Sequence, residues 1–446
     1  MTRQTNRCPG RARSIATRGS TGDRGEFAGG RPGFTMIELM VALSTGLLVT
    51  FAVFFLSKVA LDGFQQDARV NSAQYSAMMG MNQILADIKR AGYMASPDSD
   101  NDPLRCGPRL PVEHARRLIG INVLDGANAA TYAGAESLPA VVTGPENNRQ
   151  PDRVRIAGNF LTNEVFEYRA ISGNQVFLDI DQNSIQRVFR DSLEGGPAIC
   201  DLFPADRYMR FLDAGGMETY VRITACNATP SANYLTSVVI DFATLGGALP
   251  ATAACGAANG RGLANPVNVM EYLVQHVGPP FPANAGALGL DQSIAAILDY
   301  DPATVASTGE DTRLELVRRE ISAVGVVNAP VANSGSIAAE LVADFKLNLY
   351  STPTPGGTTV VPNNFVNPAA IPPQRIRSVG VRLTTRSRAA DRDNSLFADT
   401  GVAPPAGAPL DRFRAFPVAS PVRTANARAR TMYSETLLNN LPGISS

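Results

Sequence analysis

The chain has 446 residues, enough for one large domain or two ordinary ones. Glycine and proline together make up about one residue in six, which predicts many turns and long loops and argues against a protein built mainly by helix packing. The formal net charge is zero, with no tryptophan and only two histidines.

Charge is distributed unevenly along the chain. Residues 1–33 contain seven arginines and only two acidic residues, so the remainder of the chain is acidic overall. A basic segment in front of an apolar run is expected to stay in the cytoplasm. We therefore expect residues 1–33 to be a cytoplasmic leader and the body to lie in the periplasm, beyond the inner membrane.

The stretch after the leader is the most informative part of the sequence. It reads Gly33-Phe34-Thr35-Met36-Ile37-Glu38-Leu39-Met40, and no charged residue follows from Leu39 to Ser57. That run would rise roughly 28 Å as a helix, close to the hydrocarbon thickness of a bilayer. Glu38 is costly beside lipid, so it indicates a function or a partner. The competing interpretations are an ordinary single-pass anchor and a cleaved secretory signal, although Ser57–Leu61 offers no good secretory cleavage site.

This stretch resembles the class III signal at the N-terminus of type IV pilins. The resemblance implies that prepilin peptidase cleaves after Gly33 and that Phe34, the new first residue, is N-methylated. It also implies that Glu38 pairs with the terminal amine of a neighbouring subunit, because a buried carboxylate needs a cation. Glu38 would then set the subunit register, as one polar residue does in a coiled coil.

The helix is expected to continue well beyond the apolar run. No proline occurs from Phe34 to Ser96, and Gly92 is a candidate C-cap. We predict one helix of about 60 residues, with residues 34–57 spanning the membrane and residues 58–95 amphipathic. The apolar stripe expected to face a globular head is Leu61, Phe64, Ala68, Tyr75, Met78, Leu85 and Ile88.

Past Ser96 the hydrophobic period changes from that of a helix to that of strands. Alternating segments predict a β-rich globular head over residues 96–446, with a hairpin turn at Ser172-Gly173-Asn174. Ile337–Val342 is expected to be a short helix, and Gly246–Pro266 is among the stretches expected to be surface loops. The fold class is α+β, a long N-terminal helix with a mostly antiparallel, pilin-like head, because no long helices separate the strands. The strand candidates are Arg153–Ile156, Val165–Tyr168, Val176–Ile180, Tyr220–Ile223, Ser237–Phe242, Met270–His276, Leu314–Val317, Phe345–Tyr350 and Arg377–Thr385.

Cysteine usage fits an exported head. Cys8 lies in the leader, and cleavage leaves an even number of cysteines in a compartment that favours disulfides. The four candidates are Cys106, Cys200, Cys226 and Cys255, and they allow three pairings. We favour Cys226 with Cys255, which leaves Cys106 with Cys200. Their spacings, and the positions of the histidines, follow no zinc pattern.

Further segments resemble one pilin subgroup, the minor pilins called PilW. The matching segments are Arg90–Tyr93, Pro151–Ile156, Leu314–Glu320, Leu341–Phe345, Leu349-Tyr350, Arg375–Leu383 and Leu437–Leu441. The resemblance implies a minor pilin that helps to initiate a type IV pilus at its tip and supports twitching, adhesion or DNA uptake. Its partners would be other minor pilins, the major pilin, prepilin peptidase, the inner membrane before assembly and a tip adhesin. A J-like pseudopilin of a type II secretion system shares these features, and a single-pass membrane-anchored binding protein is the alternative from another class.

The sequence contains no motif that predicts an enzyme. It has no G-x-S-x-G, H-E-x-x-H, P-loop or G-x-G-x-x-G pattern, so we expect no catalytic residues, cofactor or metal. Basic residues cluster towards the C-terminus, but no aromatics are interleaved at stacking spacing, so nucleic acid is not an expected partner. The basic residues are Arg375, Arg377, Arg382, Arg386, Arg388, Arg423, Arg428 and Arg430.

Overall fold

The computed structural model describes residues 34–107, 109–126, 150–230, 234–247, 261–276, 290, 314–325, 329–351, 373–387, 412–417 and 424–438. It contains a long N-terminal helix and a β-rich part in which every pairing between described strands is antiparallel. The predicted α+β class is therefore confirmed. The chain divides into two compact units, Met1–Gly63 and Phe64–Ser446, and the leader lies outside the described residues.

Helix α1, Met36–Ile88, has 53 residues. It ends earlier than the expected residue 95, because the backbone tightens into successive turns after Ile88. Gly92 adopts a left-handed φ of 69°, a conformation that favours glycine, and its N–H donates to the Ala157 carbonyl at 2.9 Å. The Gly92 N–H therefore pairs with a strand carbonyl instead of a carbonyl of the preceding helical turn.

The last part of α1 buries one face, which combines small and large apolar residues. Ala73, Ala77, Met81, Ile84 and Ile88 are buried, and all but the first belong to one apolar cluster with strand residues. Close approach explains the small side chains, because a Cβ on Gly80 would lie 2.8 Å from the Ala339 Cβ.

The predicted stripe on α1 is wrong in most of its positions. Leu61, Phe64, Tyr75 and Met78 are exposed, whereas Ile88 is buried. Leu85 packs partly buried against the apolar cluster. The packed face is thus the one that carries Ala73, Ala77, Met81, Ile84 and Ile88.

The remaining described elements are short helices and strands. The helices are α2 Val112–Arg117, α3 Asn183–Leu193 and α4 Ile199–Leu202. The strands are β1 Ile121–Leu124, β2 Arg153–Gly158, β3 Phe166–Ser172, β4 Gln175–Leu178, β5 Tyr208–Asp213, β6 Glu218–Pro230, β7 Leu235–Thr244, β8 Gly262–His276, β9 Leu314–Glu320, β10 Ser336–Ala339, β11 Val342–Ser351, β12 Ile376–Arg386, β13 Arg412–Pro417 and β14 Thr424–Leu437.

Six strands close into a barrel. In the order β8-β3-β4-β7-β6-β5, each strand pairs with the next, and β5 pairs back with β8. Side chains such as Phe166, Val221 and Ile240 fill the interior. Buried residues of α3 and α4 belong to the same cluster, so the two helices supply part of the barrel's core.

Strand β8 is shared between this barrel and a second sheet. Its first part pairs with β3 and β5, and its second part pairs with β2 and β9. Strands β1 and β10 complete the second sheet at its two edges. A separate four-stranded sheet has the order β11-β12-β14-β13, and the buried face of α1 packs in one cluster with residues of this sheet and of the second one.

Each predicted strand overlaps an observed one, and the predicted hairpin turn joins β3 to β4 with Gly173 at φ 57°. Two local predictions are wrong. Ile337–Val342 is not a helix but the end of β10 and the start of β11, joined through Leu341 at φ 55°. The end of the predicted loop Gly246–Pro266 forms the start of β8. The sequence reading also omitted β1, β5, β13, β14 and the three short helices.

Candidate functional site

The start of α1 carries a reciprocal pair of hydrogen bonds between Thr35 and Glu38. The Thr35 N–H donates to Glu38 Oε2 at 3.0 Å, and the Glu38 N–H donates to Thr35 Oγ1 at 3.3 Å. The Thr35 hydroxyl also donates to Glu38 Oε2 at 2.9 Å. This arrangement is a capping box, which satisfies backbone donors that the first helical turn leaves unpaired.

The capping box gives Glu38 a local role that our sequence reading missed. The signal was present in Thr35-Met36-Ile37-Glu38, which has the Thr-x-x-Glu spacing of such a cap. Glu38 thus already has hydrogen-bond partners within this chain.

The rest of the segment is an uncovered apolar helix. Phe34 and all the residues of α1 up to Leu61 are exposed, including Phe51 and Phe55, whose ring centroids are 5.1 Å apart. The helix is long and apolar enough to cross a membrane. Gly33 lies outside the described residues, so the cleavage and methylation expected at Gly33 and Phe34 stay predictions.

The cysteines pair differently from the expectation. Cys200 in α4 is bonded to Cys226 in β6, so the predicted pairing of Cys226 with Cys255 and of Cys106 with Cys200 is wrong. The observed pair is also the closest in sequence, with a separation of 26 residues, and α4 packs directly against β6. Cys106 is disulfide-bonded too, and Cys255 lies outside the described residues.

Polar contacts hold the end of α1 to the strands. Asp87 accepts a hydrogen bond from Tyr272 at 2.7 Å and an ion-paired one from Arg318 at 2.6 Å. Earlier in α1, the Ala73 carbonyl accepts a hydrogen bond from the Thr385 hydroxyl at 2.8 Å. The Glu340 N–H donates to Ser76 Oγ at 2.9 Å. These contacts fix both the position and the rotation of this part of the helix.

The second sheet contains a buried carboxylate among arginines. Glu271 on β8 lies 2.9 Å from Arg155 and 3.1 Å from Arg153, both on β2, and 2.6 Å from Arg319 on β9. Burial alone would raise the pKa of Glu271, but the arginines, led by Arg319, outweigh it and lower the pKa. The cluster joins three neighbouring strands and is buried, which is the arrangement of a structural ion network.

A second cluster of buried polar side chains includes His114. The sequence predicted only that this histidine is not part of a zinc site. His114 Nδ1 and the Tyr208 hydroxyl are 2.8 Å apart, and Arg117 donates to the carbonyls of Ser322 and Gly325 at 3.1 Å each. Burial, followed by the nearby Arg117 charge, lowers the pKa of His114 to about 4. The imidazole is therefore neutral at neutral pH.

Two of the C-terminal arginines are held within the fold. Arg386 is buried, and Arg382 forms an ion pair with Asp344 at 3.1 Å. Arg388 and Arg423 lie outside the described residues. Among the residues described, no group of three or more His, Cys, Asp or Glu side chains could hold a metal ion.

Comparisons with known proteins add no relative. No protein-family model, curated protein or solved structure matches this chain.

Proposed function

We propose that this chain is a minor pilin of a Gram-negative type IV pilus, similar to the PilW group. Residues 34–57 would anchor it in the inner membrane, with the β-rich head in the periplasm until assembly carries it to the pilus tip. The observation that carries the proposal is Gly33-Phe34 directly before an apolar helix that has its one early carboxylate at Glu38.

The proposed role is to help start the filament together with other minor pilins. The uncovered apolar side chains of α1 support this role, because exposed apolar surface of this extent needs either lipid or neighbouring helices. Through assembly, the protein would contribute to twitching, adhesion or DNA uptake. A J-like pseudopilin of a type II secretion system is the second candidate, since the same helix would serve it equally well.

Processing is the first experiment. We expect mass spectrometry of the membrane-extracted protein to find an N-terminus at Phe34 that carries one methyl group. A larger side chain at Gly33 should block cleavage, whereas Gly33→Ala should be tolerated better. An intact leader, or a mature end beyond residue 55, would instead favour a plain anchor or a secretory signal.

The second experiment separates the two roles available to Glu38. Glu38→Gln removes the charge but keeps the capping hydrogen bond, because Gln also serves in a capping box. Glu38→Ala removes both, and Glu38→Asp keeps the charge with a shorter reach. If Glu38 pairs with a neighbouring amine, then Gln and Ala should both strongly reduce pilus yield and co-purification of minor pilins, and Asp should do so in part.

Membrane insertion and cleavage should survive in all three variants, because the helix stays apolar and the junction is unchanged. Normal assembly with Glu38→Gln together with a defect in Glu38→Ala would assign Glu38 to the helix cap alone.

Deleting the gene separates the two candidate systems. Loss of surface pili with normal enzyme secretion supports the pilus, and the reverse result supports the secretion system.

A further inference from the structure

A lysine and two carboxylates meet where the second sheet approaches the four-stranded sheet. Lys346 on β11 places Nζ 2.6 Å from Asp152 Oδ1 and 3.3 Å from Asp125 Oδ1. Asp125 directly follows β1, and Asp152 directly precedes β2. The Asp152 side chain is 5% exposed, and those of Asp125 and Lys346 are 16% and 23% exposed.

Backbone hydrogen bonds hold Asp152 against Lys346. The Asp152 N–H donates to the Phe345 carbonyl at 2.8 Å, and the Leu347 N–H donates to Asp152 Oδ2 at 3.0 Å. These two residues flank Lys346, so Asp152 is fixed from both sides of the lysine. The Gly126 N–H adds a third hydrogen bond, to Asp152 Oδ1 at 3.1 Å.

Burial and the neighbouring charges shift the pKa values of Asp152 and Lys346. Burial raises the pKa of Asp152 to about 6, despite Lys346 and the backbone donors, so the neutral acid is accessible near neutral pH. Burial lowers the pKa of Lys346, but Asp152 and Asp125 raise it by more. The resting pair is therefore charged, and the amine can react only after it passes a proton to Asp152 across the 2.6 Å contact, a transfer that removes both charges from a poorly solvated site.

We propose that Lys346 and Asp152 condense into an intramolecular amide bond, with Asp125 carrying the proton between them. The site is independent of the pilin assignment, because it uses only groups within the head. The product would be a covalent link between β11 and the start of β2, and so between the two sheets.

The proposed step balances without an oxidant, reductant or activated donor. After the proton passes from Nζ to Asp152 Oδ1, the neutral amine attacks Asp152 Cγ and a new N–C bond forms. Asp125 takes a proton from the attacking nitrogen and delivers it to the departing hydroxyl, which leaves as water while the C=O bond re-forms. Asp125 ends as the carboxylate it was at the start, and one water is the only other product.

Fixed geometry is what makes such a condensation feasible. Amide formation from a free amine and a free acid is slow in water, but groups held in contact react as if at effective concentrations of about 10⁵ M or more. Burial of Asp152 also limits the water that would reverse the step. A surface Lys–Asp pair, in contrast, has neither the fixed geometry nor the dry surroundings.

Peptide mapping of the purified full chain tests the proposal. Trypsin should not cut after Lys346, because an acylated lysine carries no charge. The peptide that contains Lys346 should be recovered joined to the peptide that ends at Arg153, with a combined mass lower by one water. Recovery of the unmodified Lys346 and Asp152 peptides in full yield would overturn the proposal and leave a plain ion pair.

Two matched variants sharpen the test. Lys346→Arg keeps the cation beside Asp152 but should give the uncrosslinked peptides, because a guanidinium does not form the amide. Asp125→Asn leaves both reacting groups in place and should slow formation at least about 100-fold, which is the usual contribution of a positioned proton carrier. Circular dichroism should find both variants folded. A folded Asp125→Asn variant that crosslinks as fast as the wild type would rule out the role of Asp125.

Discussion

At the scale of single residues, His114 should give the protein a measurable pH dependence. The unfolded chain binds a proton at this imidazole below about pH 6.5, whereas the folded protein does so only near its lowered pKa of about 4. The free energy of unfolding should therefore decrease as the pH falls from about 6.5 to about 4, by at most about 3 kcal/mol.

Carboxylates titrate in the same range, so the measurement needs a matched control. His114→Gln can keep a hydrogen bond with Tyr208 but cannot gain a proton. The difference in urea unfolding free energy between wild type and His114→Gln should be constant above pH 7 and decrease below pH 6.5. A difference that stays constant down to pH 4 would mean that the folded imidazole titrates normally.

Some of the residue-scale features could be predicted from the sequence and others could not. Glu38 is recognisable because a single carboxylate opens an apolar run, and its pairing with Thr35 follows a known spacing. Glu271 and Arg155 gave no such signal, because two charges that meet between β2 and β8 are far apart in sequence. The same is true of Lys346 and Asp152.

At the scale of elements, two methionines on α1 distinguish its packed face from its open face. Met81 is 3% exposed and belongs to the cluster shared with the strands, whereas Met79 is 55% exposed. Met81→Ala should lower the free energy of unfolding by about 2–5 kcal/mol, because it leaves a cavity in a packed core. Met79→Ala should change it by no more than about 0.5 kcal/mol. Equal effects on urea unfolding would contradict the packing described for this face.

The disulfide between α4 and β6 gives the second element-scale prediction. Replacing Cys200 and Cys226 together by serine should cost about 3–4 kcal/mol, because the bond closes a loop with a sequence separation of 26 in the unfolded chain. Peptide mapping without reduction should recover these two cysteines in one linked peptide. A linked peptide that joins either of them to another cysteine would refute the pairing, and unchanged stability of the double variant would refute its energetic role.

The strands were more predictable than the helix face for a physical reason. Alternation along Phe345–Tyr350 indicates a strand because one sheet face is buried. Arg153–Ile156 also alternates, although both of its faces are buried, because its two arginines pair with Glu271. The stripe on α1 had no such constraint, since apolar residues occur around much of the helix and only part of it meets the strands. Ile337–Val342 was predicted to be a helix because Ala, Glu and Leu favour helices. It forms strand residues instead, because β10 pairs with β9 and β11 pairs with β12.

At the scale of the whole molecule, the shared strand β8 has a consequence for the order in which the protein folds. The pairs β3–β4, β5–β6 and β6–β7 are neighbours in sequence and can form early. The pairings of β2, β3 and β5 with β8, for example Val154 opposite Tyr272, can form only once β8 is in place. Pairing between strands that are far apart in sequence slows folding. Until β8 pairs with them, the unpaired edges of β2, β3 and β5 can pair with other chains and aggregate. In pulse-labelling hydrogen exchange during refolding, amides at the β2–β8, β3–β8 and β5–β8 contacts should gain protection together, after those of the local hairpins. A chain released before residue 276 is complete should therefore be prone to aggregate, even though most of its hairpins are already present.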